Sequence, residues 1–498
     1  MLLSSPSFLA FLSVSAILFY LFPIKYRNWV LLCSNIIFYC FNTPQYLPLI
    51  VITEIWAFVF GKLIAKNESE RKRKNNTVIG IAGVAFFFIL FKYCGSFLST
   101  LLEKTPMSSW MFNSSDDKIS LILPVGIGFY SLSLMGYLID IFNRKIAPED
   151  DLLIFTDFVL FFPAILSGPI NKAEKLLPQF RKYSDWNYAG TVKGLRRFLM
   201  GAVKKVVLAD GLSLLVNGVW SNLNDYSGLS LMFVMLLYSV QLYGDFSGYS
   251  DMAIGTAFIF GFELEENFTA PFMALSFSEL WSRWHNSLSG WLKNYIYFPL
   301  GGSRKGFKRK IVNIFIVFLA SGLWHGTGST FLVWGLLTAL FRVMDELFSQ
   351  RNRSDAGSSG VRSLLRRVRV FIVFSVIFVF FRADTLNSAV YFFGNIFREL
   401  SVLTTAEQMR WLSTADIANG AFYSVLYWGG ILFGLILTIW SDVFVYKRPG
   451  NTDSMMSEVK SPALRMILYW VSGIIVMMFY FIQYTKTSGS VSFIYSGF

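Results

Sequence analysis

Apolar runs long enough to cross a bilayer, which takes about 20 residues as a helix, alternate with short polar loops through most of this chain. The first five runs, at residues 2–22, 28–42, 46–64, 77–101 and 119–141, each predict a spanning helix. Their loops differ in charge. Lys25–Arg27 is basic, Asn42–Gln45 is uncharged, and Lys62–Lys74 contains the run ERKRK. Glu103–Lys118 mixes acids with lysines, and Arg144–Lys145 is basic again. Placing the basic loops in the cytoplasm gives five crossings with the N-terminus outside. Met1–Phe22 holds no Lys or Arg, and the first cations follow it. That is the reverse of a cleavable signal, so the first span is expected to be retained.

Past Asp150 the pattern becomes irregular. Residues 152–169 are interrupted by Pro163 and Gly168–Pro169 and predict a re-entrant segment. Irregular backbone at membrane depth must be buried in protein or line a cavity. Residues 171–205 hold nine Lys and Arg and predict a cytoplasmic, partly amphipathic stretch at the membrane surface; a solvated loop is an equal alternative for its first half. Residues 206–220 and 228–262 predict two spans joined by an outer loop, Ser221–Ser227. From Glu263 to Lys310 the chain is too polar for a simple span. It ends in the cations Arg304, Lys305, Lys308, Arg309 and Lys310, expected in the cytoplasm. Residues 311–345 are apolar again, and Arg351–Arg369 is a basic linker. The last spans fall near 370–381, with an extension towards 399, then 420–445 and 464–484. The sum is an all-α, polytopic membrane protein of ten to twelve spans, read most simply as one integral membrane domain, 1–498. No internal repeat is visible, which counts against a transporter built from two similar halves.

Composition supports this class. Hydrophobic residues make up 54% and charged residues 15%, against about 25% charged in soluble domains. The net charge of +13 does not point to nucleic acid, because the cations cluster in loops between apolar segments, as the positive-inside rule produces. Cys33, Cys40 and Cys94 sit in apolar surroundings without metal-ligand spacing. No phosphate-binding glycine loop or serine-hydrolase elbow occurs, and two histidines with no Cys-x-x-Cys leave no metal site.

Those two histidines narrow the acid–base chemistry, since imidazole titrates nearest neutrality. His325 stands among glycines in ASGLWHGTGSTF, beside Trp324, with no charge for over ten residues on either side. A neutral imidazole there suits a general base on a hydroxyl; a buried, satisfied histidine is the alternative. His285 lies in ELWSRWHNSLSGWL, where Trp281, Trp284, Leu288, Trp291 and Leu292 fall at helical spacing, and Glu279 and Arg283 are placed to pair. It is either a hydrogen-bonded structural residue or part of a proton-handling pair. Asp245 and Asp251, in GDFSGYSD, are charges at membrane depth. They either pair with Lys or Arg to hold the bundle or act on substrate. The glycines and serines around them predict close helix packing or a distorted turn.

The motifs together carry a resemblance. LPVGIGFYSLSLMGYLIDIFNRK at 123–145, FFPAILSGPI at 161–170, GAVKKVVLAD at 201–210, QLYGDFSGYSDMAIG at 241–255, the stretch from Glu266 to Gly306, GLWHGTGSTFLVWG at 322–335 and FFRADTLNSAV at 380–390 follow in the order seen in the membrane-bound O-acyltransferases. The chain resembles their bacterial branch of alginate and peptidoglycan O-acetylation membrane subunits over residues 1–400, with core motifs within 120–390. Residues 401–498 are additional C-terminal helices.

The resemblance implies helices around a central funnel or tunnel, with His325 catalytic and His285 the second important residue. It implies acetyl transfer from a cytoplasmic acyl thioester, acetyl-CoA or an acyl-carrier thioester, with no bound cofactor. The acceptor would be hydroxyls of an envelope or exported polysaccharide in a bacterial cell membrane. An extracytoplasmic partner with a Ser-Gly-Asn-His hydrolase-like fold is implied too. Candidates for lining the tunnel or binding substrate are Asp245, Asp251, Trp281, Arg283, Trp284, Asn294, Tyr295 and Trp324, with Asn294 and Tyr295 candidates to support the thioester carbonyl. Related teichoic-acid D-alanylation subunits share both histidines, so D-alanyl transfer is one alternative, and a transporter or flippase of an envelope precursor is another. Many relatives carry a third histidine after the Trp-Gly pair, where this chain has Thr338.

Overall fold

Some helices in this chain start where a hydroxyl or carboxylate satisfies one of the first free amides. The Ser5 hydroxyl accepts from Phe8 N–H to open Pro6–Leu21, with Pro6 in the first turn. Asp151 opens Leu152–Leu160, Ser276 opens Phe277–Trp281 and Thr385 opens Leu386–Asn395 in the same way. The structure, a computed structural model, describes residues 1–95, 112–115, 118–121, 123–183, 185–351, 360–398, 421–448, 450 and 455–486. Apart from an antiparallel hairpin pairing Phe112–Ser115 with Lys118–Leu121, the regular elements among these residues are helical. Among the described residues, five helices, at residues 44–66, 70–93, 228–259, 425–447 and 462–483, are long and apolar enough to cross a membrane. The protein is a polytopic membrane protein, as its hydropathy predicts.

The chain folds as two compact units. The first holds residues 1–195 and 253–265, the second residues 196–252 and 266–494.

In the first unit, helices Arg27–Asn42, Leu47–Lys66 and Glu70–Tyr93 match the early runs, with two shifts. The cations of ERKRK are helical rather than a loop, because the helix extends past its apolar part into its basic first turns. Residues 119–141 do not form one span; the second hairpin strand occupies 118–121 and Ile127–Phe142 follows. Gly126 sets that start with φ +73°, and a Cβ there would lie 2.2 Å from the Ile165 carbonyl oxygen, so only glycine fits. The loop Glu103–Lys118 lies outside the described residues except for its hairpin part. The expected break after Asp150 is present: Leu152–Leu160 stops at Phe161. Asn35 satisfies the freed backbone, its Oδ1 accepting from Phe162 N–H at 2.8 Å while its Nδ2 donates to Asp157 at 3.0 Å.

In the second unit, Gly201 and Gly248 meet so closely that a Cβ on either would lie 2.5 or 2.7 Å from the other's carbonyl oxygen. The glycines of GDFSGYSD therefore serve close packing, and helix Gly228–Ile259 runs through them undistorted. The distortion occurs on the neighbouring element, where residues Val203–Ala209 form a π-helix between Tyr188–Ala202 and Asp210–Ser221. Val206, Val207 and Leu208 of that segment pack with Tyr427, Ile431 and Phe479 from the two C-terminal helices.

The apolar stretch 311–345 is a helical hairpin, Phe307–His325 and Ser329–Arg351, turning at Gly326–Gly328. Its arms touch where Gly322 meets the Phe331 carbonyl and Gly335 meets the Phe318 carbonyl. The expected extension from 381 towards 399 is broken; Val361–Arg382 ends and Leu386–Asn395 begins anew behind the Thr385 cap. Residues Ala421–Lys447 and Pro462–Lys486 complete the unit.

Candidate functional site

His325 ends its hairpin arm at the turn, and three aromatic rings surround it. Ring centroids lie 4.8 Å away for Trp324, 5.2 Å for Trp334 and 5.2 Å for Phe381. Only 3% of the residue is exposed. The next residue must be glycine, since a Cβ on Gly326 would lie 2.1 Å from the Phe331 ring.

His285 reaches the same place by a route that its helical spacing does not predict. The segment from Glu279 to Asn294 is not one helix. It ends at Trp281, turns, and restarts at Asn286. His285 occupies the turn with φ +47°, a left-handed conformation that an ordinary side chain adopts at a cost of about 1–3 kcal/mol. The cause lies upstream: Thr269 N–H donates to Arg283 O at 3.0 Å and Asn286 N–H to Asn267 O at 2.8 Å. Arg283 completes the clamp, donating to Glu279 at 3.0 Å and to the Thr269 carbonyl at 2.9 Å.

The two imidazole centroids lie 6.5 Å apart. His285 Nδ1 meets Asn267 Oδ1 at 3.0 Å, and the Phe246 ring lies perpendicular to the imidazole with centroids 4.6 Å apart. His285 lies outside the five spanning helices, and burial lowers its basicity far below the ordinary imidazole range, so it is neutral at physiological pH.

Both histidines line one cavity of about 440 Å³, together with Ser321, Trp281 and Trp284. Lys293, Lys310 and Arg342 also line it. Glu346 bridges two of them, 2.6 Å from Lys310 and 3.1 Å from Arg342. The cavity therefore joins two buried imidazoles to a cationic border.

The other candidates separate from this group. Asp251 accepts from Arg197 Nε at 2.7 Å and Lys204 Nζ at 2.8 Å. Asp245 and Asp210 share Lys205, each at 2.6 Å. Arg197 also holds Glu266, and Tyr243 donates to Asp442 at 2.6 Å. These charges form a buried network, and neither aspartate lines the cavity. Arg283 and Trp324 do not line it either; they support the two histidine-bearing turns. Asn294 is exposed and Tyr295 half-buried on a π-helical turn, and neither faces the cavity. The carbonyl support expected of them is not placed there. Thr338 is fully buried, and its hydroxyl donates to Trp334 O of its own helix at 2.7 Å. Its hydroxyl is thereby already satisfied.

Sequence reasoning missed Asn267, Ser287, Lys310 and Arg342. Asn267 had a signal: it is an amide inside the matched ENFTAP stretch, completely buried in the fold.

Comparison with known proteins places these residues in a wider set. Residues 150–382 match the profile of the membrane-bound O-acyltransferase family. The chain is 30% identical to a probable alginate O-acetylase of Pseudomonas putida over 82% of this chain and 83% of that protein. It is 31% identical to a peptidoglycan O-acetyltransferase of Helicobacter pylori over 78% of each. A teichoic acid D-alanyltransferase of Bacillus subtilis is 26% identical over 53% of this chain and 70% of that protein.

Proposed function

Because this chain belongs to the membrane-bound O-acyltransferase family, we propose that it moves an acetyl group from a cytoplasmic thioester towards hydroxyls of an envelope or exported polysaccharide. Two buried imidazoles facing one cavity with a cationic border are the observation that carries this reading. The thioester, acetyl-CoA or an acyl-carrier thioester, enters from the basic side, where Lys293, Lys310 and Arg342 attract its phosphates. His325 takes the proton from the acceptor hydroxyl as that oxygen bonds to the thioester carbonyl carbon. The C–S bond then breaks, and the proton on His325 passes to the departing thiolate. An ester and a free thiol result, and the base is restored. General-base assistance of this kind contributes about 10²–10⁴-fold in rate. The terminal acceptor lies outside the cell membrane, so an extracytoplasmic partner of hydrolase-like fold receives the acyl group and completes transfer. The names of the two O-acetylating relatives support acetyl over D-alanyl, since each covers more of this chain than the D-alanyltransferase does.

The test is mass analysis of envelope polysaccharide from cells carrying or lacking this chain. O-acetyl esters should disappear with the chain; unchanged ester content would sink the proposal.

A further inference from the structure

The catalytic reading leaves the role of His285 undefined, and its hydrogen bonds define it. Asn267 Oδ1 receives three contacts: Ser287 N–H at 3.2 Å, Ser287 Oγ at 2.9 Å and His285 Nδ1 at 3.0 Å. A backbone N–H can only donate, so the amide atom facing Ser287 is the oxygen. The other end of the amide agrees, with Nδ2 donating to Ser250 Oγ at 3.2 Å. An oxygen that only accepts requires a proton on the imidazole nitrogen beside it. His285 Nδ1 therefore carries the hydrogen. Nε2, buried and without a hydrogen-bond partner among the described residues, keeps its lone pair.

We propose that Asn267 is a positioning residue that fixes His285 as the Nδ1–H tautomer, so that Nε2 offers the cavity a lone pair and not a proton. What meets His285 there must be a donor: the acceptor hydroxyl, or the imidazolium that forms on His325 during transfer. The same amide also fixes the turn. Its residue's carbonyl accepts from Asn286 N–H, so ring orientation and the left-handed backbone of His285 are held by one residue. The ring's other neighbours are the Ser287 hydroxyl, a long 3.5 Å from Nδ1 and nearer the amide oxygen, and the rings of Phe246, Trp324 and His325.

The use made of the lone pair rests on the acyl-transfer reading, but the tautomer does not, and the experiment separates them. The chain contains two histidines, so uniformly ¹⁵N-histidine-labelled full-length protein gives two imidazoles, assigned with a His325→Gln variant. Wild-type His285 should show a protonated Nδ1 and an unprotonated Nε2. In Asn267→Leu the tautomers should mix, and acetyl transfer from acetyl-CoA should fall on the order of 10–100-fold. In Asn267→Asp a carboxylate beside Nδ1–H favours the imidazolium. His285 then loses its lone pair at a higher pH, and the midpoint of its own ¹⁵N titration should move up by about one pH unit or more relative to wild type. That variant carries the test if the leucine variant does not fold. A protonated Nε2 in wild type, unchanged tautomers in Asn267→Leu, or an unmoved His285 ¹⁵N titration in Asn267→Asp would overturn the proposal. The predicted tautomers in a protein without acyl transfer would uphold the positioning and refute the catalytic reading.

Discussion

Around Asp245 and Asp251 each buried carboxylate meets a cation, whereas around His285 and His325 the neighbours are aromatic rings, hydroxyls and an amide. Both regions lie in the second unit and both are buried, so the difference is one of formal charge. An ion taken out of water costs several kcal/mol unless it is paired. A neutral polar atom left without a partner costs about 1–3 kcal/mol. The charged region is therefore committed to its own contacts. The neutral one can leave Nε2 of His285 unsatisfied and available. In this protein the charges at depth build the scaffold, and the uncharged groups are left for chemistry.

Three substitutions put pressure on that division. His325→Ala should lower acetyl transfer by about 10²–10⁴-fold with little loss of folded protein, read from turnover per folded molecule in proteoliposomes. Full activity would move the chemistry out of the cavity. Lys205→Met leaves Asp210 and Asp245 facing each other without their shared cation, and should destabilise the fold by about 3–5 kcal/mol in denaturant titration of the detergent-solubilised chain. The fraction that remains folded should keep most of its turnover. A stable but inactive Lys205→Met would place the charge network within the catalytic apparatus and erase the contrast. Thr338→Val should cost less than about 1 kcal/mol and leave turnover unchanged, because its hydroxyl serves only its own helix. A tenfold loss of activity would show that the Thr338 hydroxyl takes part in turnover.

Much of the architecture was legible because membrane helices announce themselves by length. Arg27–Asn42, Leu47–Lys66, Ala421–Lys447 and Pro462–Lys486 fall close to their apolar runs. The hairpin at 307–351 was also written locally, in Gly326 and Gly328, although a long apolar run concealed it. The turn at His285 was not. Its tryptophans keep helical spacing, and the bonds that break the helix come from Asn267 and Thr269, residues outside that segment. For the same reason both histidines were visible as chemistry, while the amide that orients one of them was not. A lone asparagine acquires meaning only when folding shows what its oxygen accepts. Lys310 was read as a topology signal and Arg342 was passed over inside the apolar stretch 311–345; their convergence on one cavity depends on how the hairpin packs.

The π-helical stretch Val203–Ala209 carries a constraint of a different kind. One residue in an α-helix corresponds to about 100° of rotation. The extra residue that a π-turn absorbs decides which face Asp210 and Gly211 present. Lys205, within this stretch, reaches Asp210 just beyond it, and Tyr427 donates to the Gly211 carbonyl one residue further on. Deleting or inserting a single residue between 203 and 209 would swing the helix that follows away from both partners at once. Side chains in the stretch can change one contact at a time; its length cannot, so gaps should be tolerated here far less readily than substitutions.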